Sequence, residues 1–212
     1  MSDYELVPGL YVAPSPAGAY YAVSGTKMDG ARRVLLHLMS LDSSPELTPD
    51  LFQEINGLDT DDPAGYLHRM QSMHLLEGFP EPRARPADSI ENAMPGLLGD
   101  LAGPKGKALL ADEHGFYLST HGFPHETAEE LAALAADVGG LDQRHRRLLE
   151  GNLALQTSAW GLLTAGGNSE LGFWPLYVGS VRFSLVLKGR PRLNKAALVD
   201  VVWMLVNRYG SG

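Results

Sequence analysis

The sequence predicts an α+β fold, and three observations carry that expectation. Short apolar runs of strand length recur between Gly, Pro and Asx turns, at 107–111, 116–120 and 181–187. Other stretches place apolar residues at helical spacing, the longest over 126–149. The order across the second half is helix, strand, strand, long helix, three strands, helix, which is a compact α+β pattern.

Residues 1–77 come first. Runs 9–13 and 19–23 are β-like, and Pro14-Ser15-Pro16-Ala17-Gly18 between them is turn chemistry. Val34, Leu35, Leu38 and Leu41 then recur at helical spacing over 31–41. Thr48-Pro49 opens a second helix, with Thr48 as N-cap and Leu51, Phe52 and Ile55 as its buried face. Asp62-Pro63 repeats the device, and Tyr66, Leu67, Met70 and Met73 follow on one face. Two β runs and three short helices are the pattern of a helix-turn-helix of the winged-helix type. With the closing His74-Leu75-Leu76-Glu77-Gly78 step, the layout resembles the PqqD-like winged-helix modules of bacteria. Such a module implies a recognition helix bearing Tyr66, Arg69 and Gln71 toward nucleic acid.

Residues 78–88 contain three prolines and no apolar period, so they form an extended, fairly stiff linker. The expected domain boundary lies here.

Residues 89–212 follow. Ser89 is a helix N-cap, with Ile90, Met94, Leu97, Leu98 and Leu101 on one face. Pro95 interrupts that face, so the helix either begins there or is kinked there. Gly103-Pro104 stops it. The 107–111 and 116–120 strands flank the tight turn Asp112-Glu113-His114-Gly115. In the long helix, Leu131, Leu134, Ala135, Val138, Leu141, His145, Leu148 and Leu149 stay in one phase. Gly139-Gly140 lies within it. Each Gly costs about 1 kcal/mol relative to Ala in a helix, so the helix either continues through the pair or breaks there. Strand-like runs follow at 153–163, 172–178 and 181–187. Pro175 favours an edge position or a bulge for the second. Asn194 caps a last helix whose apolar face is Leu198, Val201, Val202, Leu205 and Val206.

The element order over 89–212, the hairpin at 108–120 (ALLADEHGFYLST) and the AEELAALAA segment at 128–136 resemble the Roadblock/LC7 (LAMTOR-type) domains. That resemblance implies a five-stranded antiparallel sheet of profilin/longin type, with the long helix on one face and the terminal helices on the other. It implies homodimers built through the third strand and the long helix. It also implies a non-enzymatic scaffold, since some bacterial Roadblock proteins regulate small Ras-like GTPases. His114 stands where the family's turn usually has Asp. The residues agree with such an interface. Ala132, Ala136, Gly139 and Gly140 make a helix surface suited to close packing, and Gln156, Thr157 and Ala159 carry no charge to block edge pairing. Such a dimer is isologous. Arg144, Arg146 and Arg147 end the helix with positive charge, as macrodipole compensation or as a dock for an acidic partner.

Charge disfavours DNA as the partner. The net charge is −8, and residues 1–77 hold four basic against eleven acidic side chains. Phosphate-backbone binding depends on Lys and Arg, so a DNA-binding regulator is the weaker alternative. The chain lacks Cys, which removes disulfides and thiolate metal sites. Its N-terminus has no signal-peptide pattern and no apolar run reaches membrane-spanning length, so a cytoplasmic location is expected. No nucleotide-binding glycine loop, nucleophile elbow or metal-ligand spacing is present, and no cofactor or catalytic residue is expected. His121 and His125 are separated by Gly122 and Pro124, which favours a loop over a metal site.

Overall fold

The computed structural model describes residues 4–52, 54–55 and 61–210. The side chain of Phe52, expected on a buried face, lies outside the described residues. The chain opens with strand β1 (Tyr11–Pro14). Residues 19–23 are not a strand but part of helix α1 (Pro16–Val23). Local capping decides this. Ser15 Oγ accepts the Gly18 amide at 3.0 Å, Pro16 sits in the first turn, and Ala19, Ala22 and Val23 are buried on one face.

Helix α2 (Gly30–Ser40) is capped by Asp29, whose carboxylate accepts the Arg32 amide at 2.8 Å. A 3-10 turn at Pro49–Phe52 buries Leu51, and Ile55 just beyond it is buried too. Helix α3 (Pro63–Ser72) starts at Asp62, as the sequence predicts. Met73 departs from the predicted face and is exposed, because α3 has ended and the chain turns at His74, with φ 56°. Strand β2 (Leu76–Phe79) then pairs antiparallel with β1. The following segment is held in place: the Arg83 amide donates to Ser44 Oγ at 2.8 Å and the Arg85 amide to the Asp42 carbonyl at 2.9 Å.

Helix α4 (Ile90–Ala102) runs through Pro95, which lies on its exposed side, and ends at Gly103 with φ 75°. The hairpin is β3 (Lys107–Ala111) and β4 (Tyr117–His121). Asp112 builds its turn by accepting the His114 and Phe116 amides, each at 2.9 Å. Helix α5 (His125–Arg146) is continuous through Gly139 and Gly140, then widens into a π-type turn at Arg147–Asn152. Leu134, predicted on its apolar face, is exposed, and so is His145. Strand β5 covers only Trp160–Leu163, not 153–163, because the widened turn and left-handed Ala154 (φ 52°) consume the first residues. Strands β6 (Ser169–Val178) and β7 (Val181–Lys188) and helix α6 (Ala196–Tyr209) complete the chain. Its N-cap is Lys195, one residue after the predicted cap Asn194, with no side-chain cap bond.

The five strands form an antiparallel sheet in the order β4-β3-β7-β6-β5. Pro175 sits on β6 beyond the last β5 pairing at Phe173, in a stretch paired only with β7. That satisfies the edge requirement of a strand proline. On one face α5 lays Ala128, Leu131, Ala132 and Ala135 over Leu109, Ala111, Phe173 and Val186. On the other, α4 and α6 cover Ala108, Leu110, Phe183, Leu185 and Leu187.

That second apolar cluster is continuous from Val12 to Val206. Residues of α1 and α2 pack on α6, so α6 is buried almost all round. No described helix is long and apolar enough to cross a membrane.

Candidate interaction surface

Helix α5 and strand β5 are joined by a polar clamp. Asp142, buried on α5, accepts the Trp160 indole N–H at 2.9 Å. Arg146 lies 3.6 Å from the same carboxylate, 3.5 Å from Glu150, and donates to the Tyr177 hydroxyl at 3.1 Å. Partial burial pulls the Arg146 guanidinium down, but Tyr177, Glu150 and Asp142 outweigh it and hold it above its ordinary value. One arginine thus binds the last turn of α5 to β6 and to the π-type turn.

Beyond the clamp several large apolar side chains are exposed among polar ones. Leu148, Leu153 and Leu155 on the α5–β5 connection are exposed, and Leu162 and Leu163 on β5 are 60% and 65% exposed. Strand β5 is a terminal strand of the sheet, so one row of its backbone groups has no strand partner. Trp160-Gly161-Leu162-Leu163 has neither charge nor proline. Its guards against edge pairing are its short length and a register irregularity between Leu162 and Leu163. Exposed leucines on and just before an open edge strand are what an edge-pairing partner could cover.

The sequence-nominated residues distribute around this surface. Ala132 is buried against the chain's own sheet and Ala136 is half-buried. A Cβ on Gly139 would lie 2.4 Å from the Arg182 guanidinium carbon, so Gly139 faces β7, whereas Gly140 faces open space. Gln156 and Thr157 are exposed ahead of β5, and Thr157 Oγ1 accepts the Ala159 amide at 3.1 Å. Arg144 and Arg147 are exposed at the end of α5. On α3, Arg69 stacks over the half-buried Tyr66 ring at 5.6 Å, while Gln71 is exposed. These three stand apart from the α5–β5 surface. The sequence reading puts Leu148 on the long helix's apolar face and the other four leucines in the 153–163 strand, without marking any of the five as exposed. For Leu162 and Leu163 the signal is an apolar run, Trp160–Leu163, ending in a polar Gly turn, which equally fits a buried strand.

His121 ends β4 and His125 opens α5, where its Nδ1 lies 2.7 Å from the Tyr117 hydroxyl. Among the described residues no cluster of His, Asp and Glu has metal-binding geometry. Of the three tryptophans, Trp203 is buried and Trp160 and Trp174 are half-buried.

No protein-family model matches the chain, and no curated protein matches it. Solved structures do. A Roadblock/LC7 domain from Streptomyces avermitilis is 20% identical, over 57% of this chain and 93% of that one, with a TM-score of 0.37. The Myxococcus xanthus MglB structure is 19% identical over 57% and 97%, with a TM-score of 0.37. The gliding protein MglB of Thermus thermophilus is 19% identical over 55% and 84%, with a TM-score of 0.35.

Proposed function

We propose that this chain is a non-enzymatic interaction module that pairs with a second copy through β5 and the α5–β5 connection. The observation that carries the reading is the open β5 edge flanked by five exposed leucines. Pairing two such edges across a two-fold axis would continue the sheet and cover the leucines. Residues 1–77 serve in this reading as a docked, winged-helix-like module, with α1 and α2 turned onto α6. The Roadblock resemblance of the sequence extends the proposal to a small Ras-like GTPase as the partner of the dimer.

Light scattering over a concentration series tests the pairing. The wild-type chain should run as a dimer, and L162K/L163K as a folded monomer. A wild-type monomer throughout would sink the pairing, and a variant that remains dimeric would move the interface elsewhere. Pull-down with GDP- and GTP-loaded Ras-like GTPases tests the extension, which requires retention that depends on the nucleotide.

A further inference from the structure

Six of the seventeen Lys and Arg side chains gather on two neighbouring segments at one end of the sheet. Lys105 and Lys107 follow α4, and Lys188, Arg190, Arg192 and Lys195 run from the end of β7 to the start of α6. Among the described residues no salt bridge uses any of the six. Arg32, Arg83, Arg85, Arg146 and Arg208 each face a carboxylate. Segments 103–107 and 188–195 contain no Asp or Glu of their own, with Asp100 and Glu170 the carboxylates that border them. The result is a local positive field.

The backbone register sets two of the six apart. Lys107 and Lys188 stand directly opposite each other on β3 and β7. Like charges at opposed positions destabilise a sheet. The Phe123 ring, 5.5 Å from the Lys107 ammonium, offsets part of that repulsion. By strand alternation both lysine side chains share the α5 face of the sheet with Leu109 and Val186, so these two cations stand outside the clefts.

The other four cations line space for an anion. Two clefts meet at Pro104 and Arg192. The larger, about 640 Å³, lies between the end of α4, His121 and the start of α6, and presents Arg192 and Lys195. Asp100 is the carboxylate on its wall. The smaller, about 370 Å³, presents Lys105, Arg190 and Arg192. Glycines in the last turn of α4 make the space. A Cβ at Gly103 would lie 2.7 Å from Arg192 Nε, and one at Gly99 would lie 2.9 Å from His121 Nδ1. Both side chains therefore lie close over the helix and line the cleft. The volumes are those of small-ligand sites.

We propose that this double cleft binds a soluble ligand carrying two or more phosphate groups, with Arg192 between them. A guanidinium forks two phosphate oxygens, and Lys195 on one side and Lys105 and Arg190 on the other supply further charge. The carboxylate of Asp100 opposes an anion in the larger cleft. A ligand that spans both clefts gains the cations of the second as compensation.

Isothermal titration of the full chain with inorganic tripolyphosphate at low salt tests this. Saturable binding of one ligand per chain is expected, weakening as salt is raised. R192Q should bind roughly tenfold more weakly, and R192Q/K195Q roughly tenfold more weakly again. R144Q/R147Q, which removes exposed arginines on α5, should bind as the wild type does. If R192Q fails to fold by circular dichroism, K105Q/R190Q is read in its place with the same expectation. Absence of saturable binding by the wild type overturns the proposal. So does equal affinity in the cleft variants, or binding to phosphatidylserine vesicles without binding to tripolyphosphate.

Discussion

The indole N–H of Trp203 donates to the backbone carbonyl of Leu41 at 2.8 Å. This joins the middle of α6, deep in the five-stranded half, to the end of α2 in the first half. Asn207, one turn on, donates to the Met39 carbonyl at 2.6 Å. Together they satisfy two carbonyls at the end of α2 that its own backbone leaves open. The first half of the chain therefore terminates its helix on the second half.

Trp203→Phe keeps the buried ring and strands the Leu41 carbonyl. It should cost about 1–3 kcal/mol. Trp203→Ala should cost about 3–5 kcal/mol. Urea unfolding followed by far-ultraviolet circular dichroism and by tryptophan fluorescence should give one coincident transition. Two separated transitions would show that the halves fold independently despite their shared apolar cluster.

Gly139 and Gly140 should respond differently to alanine. At Gly140 a Cβ meets nothing within 4 Å, so G140A should stabilise the helix by about 1 kcal/mol. At Gly139 the Cβ meets the Arg182 guanidinium, the far end of a flexible side chain. Displacing it consumes part of the helix gain, so G139A should stabilise less than G140A. Thermal unfolding of the two single variants makes the comparison. A larger gain at Gly139 would contradict the placement.

These residues also mark how far the sequence could be read. The unbroken helical phase from Leu131 onward spoke for continuity through the glycines, but which glycine faces the sheet required the sheet. The hairpin was legible because Asp112 and Gly115 have local jobs, an amide-accepting side chain and a φ of 89°. Residues 19–23 misled because two tyrosines and a valine suit a strand, and the Ser15 cap outweighs them. Strand β5 was overestimated because LALQTSAW alternates, while the widened turn after α5 leaves no sequence mark. The burial of α6 on nearly every side depends on what covers it. The gathering of Lys105, Arg190, Arg192 and Lys195 depends on a fold that brings residues 104–106 beside 189–192.

Two carboxylates should show opposite acid behaviour. Partial burial raises Asp29, but the Arg32 amide, the Tyr21 hydroxyl and the Arg32 charge outweigh it and hold the carboxyl below its ordinary value. Its folded value is then below its unfolded one. The stability it contributes is present above the unfolded value and is lost as pH falls through the folded one. D29A should cost about 1 kcal/mol near neutrality, through loss of the α2 cap, and less in acid. Burial raises Asp200 above its ordinary value, only partly countered by Arg83 at 3.6 Å. The folded chain holds that proton more tightly. Its contribution is full below the unfolded value and is lost as pH rises through the folded one. D200N should therefore be more stable than wild type near neutrality, with the difference closing in acid. Unfolding free energies measured across the acid range would show two curves converging from opposite sides. Parallel curves would contradict both assignments.

The absence of cysteine allows the β5 pairing to be tested by single-site oxidation. In an isologous strand pair, residues near the two-fold axis face their own copies. A disulfide needs Cα atoms within roughly 7 Å, so only a cysteine close to the axis can bridge to itself. L162C or L163C should form a covalent dimer rapidly under mild oxidation at low protein concentration. F116C is the control: Phe116 is 71% exposed, but it lies in the turn before β4, at the opposite edge of the sheet. It should cross-link only slowly, at a rate set by random collision. Mild oxidation followed by non-reducing electrophoresis reads all three. Equal rates at both edges would count against β5 as the dimer seam. Rapid linkage at Phe116 alone would move the seam to β4, leaving the five leucines to a different partner.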